Sequence, residues 1–297
     1  MKKNRNNNQH HKYYQTQKTF YQINGSKFVK STEKNIPFYL EQKTGKKILL
    51  ILTACVHGKE IIGEKIIAHM IKDILAIKNI DIICVPFVNP HGVKNNQRSN
   101  ENGVDLMRNS SLQQINAISQ LLLVLGQRFS NKLPYFMKKG KLEIQNQRRE
   151  KIIKENQQKY KKILNLDLHS IGKDSIRMAA NTTAQREQEI LEKVNKTLTK
   201  KLKTIPKQPY KSNGDMMDYL SQTYSQNQKD SYFLISYEMF REMLKQMKRP
   251  RGFIKFIKEF PNNIFSPPKE TEQRFIKQES KIILETLKTA INHLKKE

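Results

Sequence analysis

The run Ile48-Leu49-Leu50-Ile51-Leu52-Thr53-Ala54-Cys55-Val56 ends in His57-Gly58-Lys59-Glu60. An apolar stretch this long and this rich in Ile and Leu reads as a buried strand. It stops abruptly and delivers an imidazole and a carboxylate with a Gly between them. Open α/β folds place their ligands where sheet strands end in loops, at points where the strand order reverses. A His and a Glu one turn apart can grip a single Zn²⁺, leaving a further His to come from elsewhere. His-x-x-Glu alone arises by chance in a chain of 297 residues. Its meaning depends on the rest of the chain.

Downstream, Ile61, Ile62, Ile66, Ile67, Met70, Ile71, Ile74 and Leu75 recur at helical spacing, a stripe suited to lie against a sheet. Ile80-Asp81-Ile82-Ile83-Cys84-Val85-Pro86-Phe87 is then a β-branched strand, closed by the turn Asn89-Pro90-His91-Gly92. Strand, helix, strand in this order is a βαβ unit with parallel pairing. Further on, the pattern predicts helices over 112–125, 145–160, 186–201 and 271–295, and strands over 163–168 and 232–237. The charged 145–160 helix is expected to face solvent. The fold class is therefore α/β, a mixed, mostly parallel twisted sheet with helices on both faces. No internal repeat is present, and Pro267-Pro268 marks a linker before the closing helix.

Length allows one large domain with a substantial core, placed at residues 18–297. Residues 1–17 are rich in Lys, Asn, Gln and His and have no hydrophobic segment, which predicts a disordered basic tail without a secretory signal. No apolar stretch approaches the roughly 20 residues that span a bilayer. These features point to a cytoplasmic protein away from membranes, with organellar targeting left open. Cys55 and Cys84, the two cysteines, both fall at predicted strands and read as buried reduced thiols; a disulfide framework is excluded, and two isolated thiols argue against a Cys-type zinc site. Against 27 acidic residues stand 55 basic ones, a net charge of +28. Such a field attracts acidic substrates or polyanions; an overall bias toward Lys, Asn, Gln and Ile explains it equally well.

Polar groups gather where the predicted strands end. The first delivers His57 and Glu60, a later one Asp167-Leu168-His169-Ser170, and the last Tyr237-Glu238. Two His and one Glu make a catalytic zinc's protein ligands, with a fourth position for water. A second carboxylate, here Glu238, can take that water's proton. Each residue alone has an ordinary structural reading: a satisfied histidine, a surface acid. Their conjunction at strand ends is much rarer. Arg98 and Arg108 lie in a Gly/Asn-rich loop, and guanidinium forks match carboxylates bidentately; the plainer reading is a solvated basic loop.

As a set, His57-Gly58-Lys59-Glu60, Asn89-Pro90-His91-Gly92, Arg98, Val104-Asp105-Leu106-Met107-Arg108-Asn109, Asp167-Leu168-His169-Ser170 and Tyr237-Glu238 resemble the zinc carboxypeptidase family, the funnelin-type metallocarboxypeptidases. The order and spacing agree from about residue 20 to the C-terminus, and the Arg98–Arg108 block looks closest to its small single-domain branch. Leu142-Glu143-Ile144-Gln145 is similar to the family's Glu-x-Gln entry to the helix before the second zinc His.

The resemblance implies one zinc per chain on His57, Glu60 and His169, with Asp105 accepting a hydrogen bond from the far nitrogen of His57. It implies that Arg98 polarises the scissile carbonyl, that Arg108 binds a terminal carboxylate, and that Glu238 is the general base. Met107 stands where the family has Asn, and Ser221 where it has a mobile Tyr, with Tyr219 and Tyr224 nearby.

The expected activity is release of a C-terminal amino acid from a peptide or protein, with acidic termini favoured by charge. An amidohydrolase of the aspartoacylase and succinylglutamate desuccinylase type shares much of this set. A catalytically retired zinc scaffold with a basic surface for nucleic acid or another polyanion is the reading from a different class. Charge is its one support, since no interleaved aromatics accompany the lysines.

Overall fold

The computed structural model describes residues 2–24, 28–29, 37, 39–110, 142–169, 176–178, 185–202, 216–225, 232–238 and 269–296. Within them seven strands form one sheet: β1 (Phe28–Val29), β2 (Tyr39–Gln42), β3 (Ile48–Ala54), β4 (Asp81–Val85), β5 (Lys162–His169), β6 (Ile176–Met178) and β7 (Tyr232–Glu238). Their order is β1-β2-β4-β3-β5-β7-β6. The central four, β4-β3-β5-β7, are parallel, and β1, β2 and β6 are added antiparallel at the edges. The helices are α1 (Lys2–Asn24), α2 (Ile62–Leu75), α3 (Pro90–Asn95), α4 (Ile144–Gln157), α5 (Gln185–Leu202), α6 (Met216–Ser225) and α7 (Lys269–Lys296).

Every residue of β3 is buried, because the strand lies between two helical layers. Ile48, Leu50, Leu52 and Ala54 join a core with Ile66, Ile67 and Ile71 of α2, Val194 of α5 and Leu287 of α7. Leu49 and Ile51 point the other way, to Ile152 and Ile153 of α4 and Met216 and Leu220 of α6. Successive strand residues alternate faces, so an apolar run with no polar gaps is the pattern for a strand covered on both sides. The mixed sheet with helices on both faces is thus as expected. Cys55 and Cys84 are buried free thiols.

Three expectations are corrected. Residues 2–17 belong to a helix: α1 runs to Asn24, with Tyr14 and Tyr21 buried against Phe87 at ring-centroid distances of 5.0 and 6.5 Å. Its tyrosines supply an apolar stripe that a composition dominated by Lys, Asn and Gln conceals. Second, α4 does not simply face solvent. Gln145, Asn146, Arg149, Ile152, Ile153 and Asn156 are buried, at spacings that make one helical face of mixed polarity. Third, Asn89–Gly92 is the start of α3, where the Asn89 side chain accepts a hydrogen bond from Gly92 N at 2.9 Å and Pro90 occupies the first turn. The expected helix over 112–125 and the Pro267-Pro268 linker lie outside the described residues.

Candidate metal centre

β3 sits where the strand order reverses, with β4 on one side and β5 on the other. In register, Ala54 pairs with Leu168 and His169 with Glu238, so β3, β5 and β7 end together. The chain leaves β3 through Cys55, a non-glycine residue at φ 55°, a conformation that stores strain of order 1 kcal/mol or more. A turn closed by Glu60 N donating to His57 O at 2.9 Å then brings the two side chains together.

Gly58 is required by packing. A Cβ there would lie 2.0 Å from the carbonyl carbon of Gly92, so the His57–Glu60 turn rests backbone to backbone on α3. Asn89, fully buried, donates through Nδ2 to Arg98 O at 3.2 Å and to Val56 O at 3.4 Å, which joins the two site loops.

His57, Glu60 and His169 are all buried, and one ligand atom from each lies within 4.8 Å of the others. His57 Nδ1 is 2.6 Å from Glu60 Oε1, and His169 Nδ1 is 3.3 Å from Glu60 Oε2. The opposite nitrogen of His57, Nε2, is 3.1 Å from Asp105 Oδ1. Asp105 Oδ2 accepts from Arg98 Nε at 2.7 Å, and Arg98 Nη1 lies 3.6 Å from Glu60 Oε1. About a quarter of the Arg98 side chain remains exposed.

Burial opposes the charge on Asp105, but Arg98, His57 and Arg108 outweigh it and hold its carboxyl well below the usual range. Glu60 is likewise held down by His57 and His169 against complete burial. Buried donors of this kind, two imidazoles facing an ionised carboxylate, fit a divalent cation of the zinc type.

The Arg98–Asn109 loop is clasped to the start of α4. Asn100 Oδ1 accepts from Asn102 N and Val104 N, while its Nδ2 donates to Glu143 Oε2 at 2.9 Å. Asn109 Oδ1 accepts from Glu143 N at 2.7 Å, and Asn146 Nδ2 donates to Leu106 O at 2.8 Å. Arg108 sits in a short 3₁₀ turn started by the Asp105 side chain. Met107 points into the second core, 4% exposed.

Tyr219 and Tyr224 donate their hydroxyls to Glu150 of α4, at 2.6 and 3.0 Å, so both tie α6 to α4. Glu238 is placed by its backbone at the end of β7, paired with His169.

Sequence reasoning gave no role to Arg149 and Asp167. Their buried ion pair is 2.7 Å long, and Asp167 Oδ2 is 3.3 Å from His169 Nε2. The signal for Asp167 was its place two residues before His169 on a strand, hence on the same face. Arg149 carried none, because a charged residue in a helix of low amphipathicity reads as solvated.

A sheet reversing at β3, with a buried His/Glu/His group on its C-terminal edge, defines a carboxypeptidase-like α/β fold. Solved structures agree. Bovine thrombin-activatable fibrinolysis inhibitor, in complex with tick carboxypeptidase inhibitor, matches with a TM-score of 0.59 at 13% identity, over 97% of both chains. Carboxypeptidase A from Helicoverpa armigera matches at 0.55 and 17% identity, over 89% of this chain and 67% of that one. A candidate carboxypeptidase A from Shewanella denitrificans OS-217 matches at 0.50 and 12% identity, over 91% of this chain and 64% of that one.

Residues 37–120 match a family described as "Protein of unknown function (DUF2817)". No curated protein sequence matches. Among the described residues no helix is long and apolar enough to cross a membrane.

Proposed function

We propose that this chain is a zinc-dependent peptidase that releases the C-terminal residue of a peptide or protein. The observation that carries the reading is the buried convergence of His57, Glu60 and His169 on the C-terminal edge of the sheet, beside a partly exposed Arg98. Zinc on these three donors supplies Lewis acidity, drawing electron density from a carbonyl oxygen and acidifying water.

The remaining roles belong to the chain. Asp105 accepts from His57 Nε2–H and so leaves the Nδ1 lone pair for the cation. Arg98, fixed by Asp105, donates to the oxygen on which negative charge grows as the carbonyl is attacked. Arg108 pairs with the substrate's terminal carboxylate, which sets the reaction at a chain end. Glu238 takes the proton of the attacking water on its carboxylate and returns it to the leaving amine nitrogen. Since Met107 is packed in the core, no side-chain amide from that position assists Arg108, which weakens the grip on the terminal carboxylate without removing the chemistry.

The test is metal analysis of the purified full chain with an assay on peptides bearing free or amidated C-termini. About one zinc per chain is expected, lost in His57→Ala, Glu60→Ala and His169→Ala. Free termini are expected to be cleaved and amidated ones spared. Glu238→Gln keeps the zinc and lowers kcat by roughly 10²–10⁴. No zinc after zinc-supplemented purification overturns the reading. Hydrolysis of acetyl-aspartate without peptide cleavage transfers it to the amidohydrolase type.

A further inference from the structure

Two groups of the same three residue types converge on Glu60. On one side Arg98 Nε donates to Asp105 Oδ2 at 2.7 Å, and Asp105 Oδ1 lies 3.1 Å from His57 Nε2. On the other, Arg149 Nη2 donates to Asp167 Oδ2 at 2.7 Å, and that oxygen lies 3.3 Å from His169 Nε2. In both groups the other imidazole nitrogen, Nδ1, faces a Glu60 oxygen, at 2.6 and 3.3 Å.

We infer that Asp167, held by Arg149 and Thr53, is a positioning residue that sets the orientation and tautomer of His169, as Asp105 does for His57. The inference rests on the metal-binding reading of His57, Glu60 and His169. Thr53 Oγ1 donates to Asp167 Oδ1 at 2.7 Å while Arg149 engages Oδ2, so the carboxylate is gripped at both oxygens and cannot swing away from the imidazole. Asp167 Oδ2, 3.3 Å from His169 Nε2, favours the imidazole proton on that nitrogen, which leaves the Nδ1 lone pair to meet a cation beside Glu60.

Stability alone is a weak reason for this arrangement. Arg149 and Asp167 are 2% and 0% exposed, and a buried ion pair commonly contributes no more than well-packed apolar residues in the same space. A pair serving only to tie α4 to the sheet could sit at any inward position of β5. This one sits two residues before His169, on the same strand face.

Zinc affinity of the full chain, by competition with a chromophoric chelator, and the Tm of the metal-free protein test this in Asp167→Asn, Arg149→Met/Asp167→Asn and Thr53→Val. The double variant strands no buried charge, and Thr53→Val leaves both charges in place. Asp167→Asn and the double variant are expected to bind zinc about 10–100-fold more weakly, with the double variant's metal-free Tm close to wild type. Thr53→Val is expected to weaken zinc by about three- to tenfold, the worth of one hydrogen bond.

Wild-type affinity in the double variant overturns the inference, as does a fall in Tm with zinc affinity unchanged. If the Asp167 variants do not fold, Thr53→Val decides, and wild-type affinity there overturns it. A wild type that takes no zinc, or a His169→Ala that binds as tightly as wild type, removes the metal reading itself. Zinc bound by wild type and lost by His169→Ala, with the Asp167 and Thr53 variants unaffected, removes only the role of Asp167.

Discussion

At the residue scale the site depends on the absence of a side chain. Gly58 lets the His57–Glu60 turn lie against the first turn of α3, where any Cβ would meet backbone atoms of Gly92 and Val93 within 2.4 Å. Backbone cannot rotate aside as the end of a flexible side chain can. Gly58→Ala is therefore expected to push the turn off α3, destabilising the protein by about 1–3 kcal/mol. Because His57 and Glu60 are the residues moved, zinc affinity should fall as well. Chemical denaturation and chelator competition check the two effects; a variant with wild-type stability and affinity refutes the close approach. His57, Glu60 and His169 were readable as chemistry-bearing because each stands at the end of an apolar run. The need for glycine at 58 was not, since the obstacle is a segment 34 residues further along the chain.

At the element scale, α1 docks through a buried carboxyl. Tyr21 donates to Glu64 Oε1 at 3.0 Å, and Tyr13 to Glu64 Oε2. Burial raises the Glu64 pKa from 4.5 to about 7, against the lowering influence of both tyrosines and Lys65. The folded protein therefore holds a proton on Glu64 that the unfolded chain releases between about pH 4.5 and 7. This contribution is complete below pH 4.5 and is lost as pH rises through about 7, on the order of 3 kcal/mol. Glu64→Gln, a neutral group that can accept from one tyrosine and donate to the other, is expected to flatten that decline in denaturation measured from pH 4.5 to 8. A decline of unchanged size in the variant places its origin elsewhere. The helix itself escaped the sequence reading because three tyrosines among Lys, Asn and Gln gain their worth only from Phe87 and Glu64, residues on other elements.

At the scale of the molecule, a group of exposed lysines lies at the end of the sheet away from the site. Lys46 and Lys47 precede β3, Lys78 precedes β4, and Lys159 and Lys161 precede β5, all exposed at the N-terminal edge of the parallel strands. Lys295 joins them, donating to Lys78 O at 3.4 Å. A seven-residue strand separates that edge from the site by roughly 20 Å, more than two Debye lengths at about 0.15 M salt. A preference for acidic over basic C-terminal residues is expected in kcat/KM near about 0.01 M salt, shrinking toward none by about 0.15 M. A preference that survives salt would place a cation in the side-chain pocket, and equal rates at low salt would show the charge to be compositional.

The apolar runs at 48–56, 80–87 and 163–168 were enough to determine a parallel α/β core and which strand ends carry imidazoles and carboxylates. Local patterning reaches that far because burial on both faces leaves its mark within a few consecutive residues. The tertiary structure alone decided which polar residues are inside. Asn100 and Arg149 look solvated in sequence, and they are buried because their partners, Glu143 and Asp167, arrive from segments 43 and 18 residues away. A hydrogen bond or ion pair of that span leaves no periodic trace in the sequence. It forms only when the sheet register and the α4 docking bring both ends to one place.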